Sequence, residues 1–546
     1  MNESTRVEWR SWGPDAFAEA EQTATPILLS LTATWCGECH EMDARTYAEP
    51  AIAANINDSF VPIRVDVDRH PRVRERYNMG GFPTTAFLTP QGRLLSGATY
   101  LGPDGMRQVV DRIRDVWAEK GSSAGRVPRA LADEPTPAGD LDSRIEEHIA
   151  GQLTEKFDPQ HGGWGTDAKF PMPRTIEFAL KREQGQAIQT LDAIAQHLHD
   201  SVDGGFFRFA TSRDWSDVRY EKVLDTNAAL LRAFANAYLY TGDEAYRQPA
   251  ARTVDYLTDT LWTGIAIGGS QGPGQGAAYY TLSADERADH EQPRTDLTVF
   301  ASSNAQAVDA LLTYAAYTDD ETATTYAKRI IEALEGELVD TDSGVVTHYR
   351  AGDETGETHL LEDAAAVLNG WTRAHQVLGD SRYSEVAQRV ADEAIDTLQD
   401  DGAFRDGPAR GEGLCDRALY PIDTGVEFAD GLLDLAVLTD EPRYREVATE
   451  AIEAFAGAWD RIGVQVAGYG SVAARLINGD LVVDVGGEAG SDLHRAALRI
   501  ADHETVVVPN APGVDAGTAH LRDTDQPPAT DPETLMSQVS ATVDDE

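Results

Sequence analysis

Apolar and polar residues change their period along this chain, and each change marks a different kind of element. Residues 27–33 (ILLSLTA) are an unbroken apolar run of strand length, and 61–68 (VPIRVDVD) alternate with the two-residue period of a strand. Residues 81–92 (GFPTTAFLTPQG) read as a strand closed by a turn, with 93–100 (RLLSGATY) returning beside it. Helical stretches separate them. One follows a short extended start within 6–20, one covers 34–47, a short one covers PRVRERYNM, and an amphipathic one over 103–120 opens at Pro103. The order β-α-β-α-β-β-α predicts an α/β domain over 1–118.

Residues 119–139 are rich in Gly, Ser, Pro and Ala and read as a linker. From 140 to 478 the period becomes helical, and a repeat appears. YTGDEAY (240–246), YTDDETATTY (317–326), LGDSRY (378–383) and LTDEPRY (438–444) each separate an Ala/Leu-rich helix from an amphipathic one. Glycine-marked returns follow the second helices: GGFFRF, SGVVTHYR and DGAFRD. Repeated helical hairpins must bury their apolar faces on neighbours, so a closed all-α (α/α)6 toroid is expected rather than an open rod. Residues 479–511 read as a small β-α-β appendage, and 512–546 as an acidic disordered tail.

Composition adds one strong constraint. Asp and Glu total 92 against 46 Lys and Arg, a formal net charge of -46, and only six of the basic residues are Lys. Such a surface repels nucleic acid and anionic lipid, so neither is expected as a partner. It also repels itself, until molar salt cuts the Debye length to about 3 Å. The acid excess runs the whole length and resembles that of salt-adapted archaeal cytoplasmic proteins. No apolar run approaches membrane-spanning length, and the first residues lack the pattern of a signal peptide, so a cytoplasmic location is expected.

Three cysteines are present: Cys36, Cys39 and Cys415. The strand 27–33 feeds directly into Cys36-Gly37-Glu38-Cys39, which puts Cys36 at a helix N-terminus, where amides and the helix dipole stabilise a thiolate. Cys36 is therefore expected to be the more exposed, nucleophilic thiol. Cys39, about one turn deeper, is placed to resolve a mixed disulfide. A zinc site at Cys36, Cys39 and His40 would want further ligands from a second cluster, and no second CxxC or HxxxH occurs, so no metal and no cofactor is expected. An inert pair is the remaining alternative. Cys415 reads as a lone, semi-buried thiol.

ATWCGEC followed by GGFPTTAFLTPQG resembles thioredoxin. The likeness implies that Pro83 forms a cis bond opposite Cys36, and that Phe82 and Thr84 form a peptide-binding edge, with Trp35 and Glu38 flanking the cysteines. Two positions depart from it. Ser30 stands where thioredoxin carries a buried acid, and Glu38 replaces a proline, where its charge should raise the Cys36 pKa.

WCGECHEM, GGWGTDAKFPMP (162–173), the segment 203–243 and GWTRAHQVLGDSRY (370–383) together resemble the thioredoxin-like DUF255-type family, relatives of the spermatogenesis-associated thioredoxin-like protein. That family joins a thioredoxin-like domain to a barrel of the six-hairpin glycosidase superfamily, so the resemblance implies the same two folds here. Arg219, Asp225-Thr226 and Ser303 depart from the family's motifs, while Asn227 and Asn304 are kept. Read from the residues, Asp214, Trp215, Arg219, Glu221, Lys222 and Asn227 converge before a helix, where Trp215 could stack on a sugar and the polar groups grip hydroxyls. Asp363 and Asp430 occupy comparable places in later hairpins, and Asn304 is a further candidate for the pocket. The competing reading makes Glu221–Lys222 a salt bridge and Trp215 a packing residue. Three functions follow: thiol–disulfide exchange on a disulfide-bearing protein, with a barrel binding a partner or sugar-like ligand; an epimerase- or glycosidase-like barrel regulated by the thioredoxin domain; or a binding scaffold.

Overall fold

The computed structural model describes residues 5–131 and 134–544, which divide into two compact units. The first holds residues up to Pro135 together with Gln271–Gly274 and Arg405–Leu419; the second holds the rest.

In the first unit, five strands form one sheet: β1 (Arg10–Ser11), β2 (Ile27–Thr32), β3 (Val61–Asp66), β4 (Thr84–Leu88) and β5 (Leu94–Ala98), in the order β1-β3-β2-β4-β5. β2 runs parallel to β3 and antiparallel to β4. The helices are α1 (Pro14–Thr23), α2 (Gly37–Met42), α3 (Pro50–Ser59), α4 (Pro71–Tyr77) and α5 (Pro103–Lys120). The apolar run of β2 is central and buried on both faces, which is why it carries no alternation. This is a thioredoxin-like fold.

Two arginines on α4 hold the segment Arg405–Leu419 within this unit. Arg72 donates to the carbonyls of Pro408, Arg410 and Cys415 at 2.7, 3.0 and 2.5 Å. Arg76 donates to Asp406 at 2.5 and 3.1 Å and to the Leu414 and Arg417 carbonyls. Cys415 is buried there, outside any disulfide. Of the expected linker, residues 132 and 133 lie outside the described residues. Its remainder is more structured than a linker: Arg126 bridges Leu94, and Leu131 is buried.

The second unit contains six helical pairs. The inner helices are α7 (Pro173–Arg182), α9 (Leu224–Thr241), α13 (Ala301–Thr318), α15 (Leu361–Leu378), α17 (Ile422–Thr439) and α19 (Gly468–Asn478). Each packs on the next, and α19 packs on α7, so the ring closes. The outer partners are α8 (Gln184–His197), α10 (Glu244–Asp259), α14 (Glu321–Glu337), α16 (Arg382–Leu398) and α18 (Arg443–Ala456); α6 (Arg144–Lys156) serves α19. Short helices α11 (Ala277–Tyr280) and α12 (Ala284–Ala288) lie in the connection between α10 and α13. Inner helices α9 and α13 are buried nearly all round, whereas α10 buries a stripe of Tyr246, Ala250, Val254 and Leu257. The fold is an (α/α)6 ring.

The turn chemistry repeats as well. Gly242, Asp319, Gly379 and Asp440 end four of the inner helices, α9, α13, α15 and α17, in the left-handed region, and Asp243 and Asp320 cap the outer helices that follow α9 and α13. After the outer helices, Asp158, Asp200 and Asp340 each start a turn closed four residues later by the N–H of Gly162, Gly204 and Gly344, at 2.8–2.9 Å.

Strands Val482–Val485 and Val506–Pro509 pair in parallel around α20 (Asp492–Leu498). The expectation of a disordered tail fails for the described residues 512–544. Ala519–Leu521 joins that sheet antiparallel to Val482–Val485, and α21 (Pro532–Asp544) buries Leu535 and Val539. Two apolar residues one turn apart suffice to dock α21, too faint a signal against the acidic background. Residues 545 and 546 of the expected tail lie outside the described residues, as do 1–4 of the first domain.

Candidate functional site

β2 ends two residues before Trp35-Cys36, and the chain turns straight into α2 with Cys36 as its N-cap. The Cys39 N–H donates to Cys36 Sγ at 3.1 Å, and the two sulfurs form a disulfide. The register Leu31↔Thr84 brings the residues before β4 to the end of β2 from which Cys36 departs. Those residues are Phe82 and Pro83, joined by a cis peptide bond. Trp35 packs edge-on to Phe82, with ring centroids 6.1 Å apart, and donates its indole N–H to Asp68 at 2.7 Å. Thr84 is buried, its hydroxyl donating to the Gly81 carbonyl.

One expectation needs correction. Cys36 is not the exposed member of the pair: Cys36 is 4% exposed and Cys39 3%. Trp35 is buried beside them, and Pro273 of Gln271–Gly274 approaches Gly37 so closely that a Cβ there would lie 3.1 Å from its ring. Ser30 is buried on β2 opposite Thr85, so that position offers a hydroxyl rather than a carboxylate. Asp43, just past α2, pairs with Arg64, yet burial pushes its carboxyl above the usual range.

The candidates read from 213–227 do not form one pocket. Trp215 is 1% exposed, lies against Gly163 and donates to the His161 carbonyl at 2.9 Å, so it is a packing residue and presents no face to a sugar. Lys222 is buried and bonds Asp200 and the Gly204 carbonyl, not Glu221. Burial lowers its pKa to about 8 despite Asp200. Glu221 faces Arg208 instead, at 3.5 Å. Asp214 is exposed and binds Ser216, and Arg219 lies half-buried in a short strand paired with Phe209. Asn227 and Asn304 are equivalent clamps. Asn227 accepts from the Phe206 N–H and donates to the Phe206 and Val223 carbonyls; Asn304 does the same with Ile267 and Phe300. Asp363 is buried against His348.

A polar cavity of the ring lies elsewhere, and of its lining sequence reasoning singled out only Asp430. It measures about 60 Å³ and is lined by side chains from all six inner helices. Four of these helices have 18 residues, and their ninth and thirteenth positions are polar: Arg232 and Asn236, Asp309 and Thr313, Asn369 and Arg373, Asp430 and Asp434. That shared register was a legible signal. Arg232 binds Glu177 at 2.8 and 3.0 Å and also Asp309. Arg475 binds Asp430, Asp434 and Asp480 at 2.6, 2.7 and 2.6 Å. Burial opposes the charge on Glu177, but Arg232 and Arg174 hold it below the usual carboxylate range. Burial raises the carboxyl of Asp434. Every carboxylate lining the cavity among the described residues binds an Arg or Lys.

Residues 1–134 match the family described as Thioredox_DsbH, "Protein of unknown function, DUF255". Spermatogenesis-associated protein 20 of Homo sapiens is 30% identical over 292 residues, 47% of this chain and 37% of that protein, so the match spans well under half the relative's length. Thioredoxin-1 of Drosophila melanogaster is 36% identical over 72 residues, 13% of this chain and 64% of that protein. Among solved structures, a sugar epimerase from a ruminal bacterium aligns with a TM-score of 0.46 and 15% identity, over 56% of this chain and 84% of its own. The sheet order, the strand-to-helix turn at Cys36 and the family match rest on the same residues: a thioredoxin-like domain that matches the DUF255 model over 1–134, followed by a ring of six helical hairpins.

Proposed function

We propose that the chain is a thiol–disulfide oxidoreductase acting through Cys36 and Cys39. The observation that supports this most is the bonded cysteine pair at the N-cap of α2, beside the Phe82–Pro83 loop. In the reduced protein the Cys36 thiolate attacks one sulfur of a target disulfide and expels the other as a thiolate. The Cys39 thiolate then attacks Cys36 Sγ, releasing the target's second thiol. Two electrons pass to the target and the Cys36–Cys39 disulfide is left, to be reduced again by a thiol donor. Because Cys36 is covered, Pro273 and its neighbours have to give way before a protein disulfide can reach it. Reduction of insulin disulfides by the wild-type chain in molar KCl, abolished by Cys36→Ser, is the expected result. Equal rates for both proteins would reject the proposal.

A second reading concerns the ring. A cavity lined by paired guanidinium and carboxylate groups suits a small polar solute whose hydroxyls replace water. Sugar-dependent thermal stabilisation, lost in Asn236→Leu, supports it; no shift with any sugar argues against it.

A further inference from the structure

Eight Asp and Glu residues are buried among those described. Seven of them bind an arginine or lysine: Asp158 with Lys169, Asp200 with Lys222 and Asp406 with Arg76 are typical. This follows from the cost of desolvating a carboxylate, which a nearby cation offsets. Asp363 breaks the pattern. It is 0% exposed, and its neighbours are a histidine, a peptide N–H and a second carboxylate.

The geometry is specific. His348 Nδ1 lies 3.0 and 2.9 Å from the two oxygens of Asp363 and 3.7 Å from Glu362 Oε1. His348 Nδ1 thus reaches both Asp363 oxygens in a bifurcated contact, and among the described residues no arginine or lysine joins them there. The Ser302 N–H donates to Asp363 Oδ1 at 3.1 Å and fixes that carboxylate. Glu362 and Asp363 are the second and third residues of α15, and His348 is anchored by its own carbonyl, which accepts from the Ala301 N–H at 2.8 Å. The three ligand-type atoms lie within 4.8 Å of one another. Two atoms bonded to one zinc ion at about 2.1 Å each end no more than about 4.2 Å apart, a change a small rotation of Glu362 supplies.

We propose that His348, Glu362 and Asp363 form a binding site for a divalent transition-metal ion of the zinc class. One imidazole and two carboxylates match zinc's preference for mixed N and O ligands, whereas magnesium and calcium favour oxygen alone. Three protein ligands leave a position open on the side of Glu362, whose side chain is 29% exposed. The ion would be the cation that every other buried carboxylate already has. This site is independent of the cysteine chemistry.

The test uses the full chain, oxidised at Cys36–Cys39 and stripped with EDTA, titrated with ZnCl2 in molar KCl by calorimetry and metal analysis. One tight equivalent of zinc is expected. Glu362→Gln should weaken it at least tenfold, and His348→Ala should remove it. The double variant Cys36→Ser, Cys39→Ser should keep it, since the site does not use those sulfurs. Should His348→Ala fail to fold, Glu362→Gln decides the matter, because Glu362 is partly exposed. Absence of stoichiometric zinc, an equivalent that survives Glu362→Gln unchanged, or one lost with the cysteines would each overturn the proposal.

Discussion

At the scale of single residues, burial decides what each titratable group contributes. His199 is packed against Phe206, and burial lowers its pKa from 6.5 to about 4. The unfolded chain takes up that proton near pH 6.5, while the folded chain holds it off until about pH 4. Acidification through this window therefore favours unfolding, and stability returns as pH rises. The shift corresponds to about 3 kcal/mol. His199→Gln should remove that share, so denaturant titrations near pH 7.5 and pH 4 should show wild type losing about 3 kcal/mol more than the variant. Equal losses would mean that His199 is protonated in the fold. The same weighing explains which site residues could be read in advance. The Cys36-x-x-Cys39 spacing announces its chemistry by residue type alone. Trp215 and Lys222 carry equally suggestive types, but their roles depended on burial, which local sequence does not encode.

At the scale of elements, the hairpin repeat was readable because each turn needs the same chemistry. The glycine closing each post-helix turn is the sharpest case. Gly204 has φ of 79°, and a Cβ there would lie 2.1 Å from the Arg252 carbonyl oxygen; at Gly344 the corresponding distance, to the Arg389 carbonyl, is also 2.1 Å. Both positive φ and close backbone contact exclude a side chain. Gly204→Ala should destabilise the ring by about 3 kcal/mol or more, against well under 1 kcal/mol for Gly185→Ala, whose Cβ would meet nothing within 4 Å. Comparable midpoints in urea for the two variants would contradict this reading of the turn. What stayed illegible were pairings of long range. Arg76 and Asp406 are 330 residues apart, and nothing periodic in 405–419 signals that this stretch packs on α4. The polar ninth and thirteenth positions of the inner helices lay between these extremes. Their pattern is regular, but it emerges only when helix starts are aligned.

At the scale of the whole molecule, charge sets the conditions under which everything else holds. With a formal charge of -46, carboxylate repulsion should weaken the fold at low ionic strength. The melting temperature should rise steeply between about 0.1 and 3 M KCl; a flat profile would refute the salt-adapted reading. Among the described residues no helix is long and apolar enough to cross a membrane. The central claim is that Cys36 attacks and Cys39 resolves. Its most direct test is to incubate the reduced Cys39→Ser and Cys36→Ser variants with a disulfide-bearing protein and resolve the products without reductant. The account predicts a covalent complex with Cys39→Ser, released by dithiothreitol, and none with Cys36→Ser. Complexes formed equally by both variants, or by neither, would contradict it.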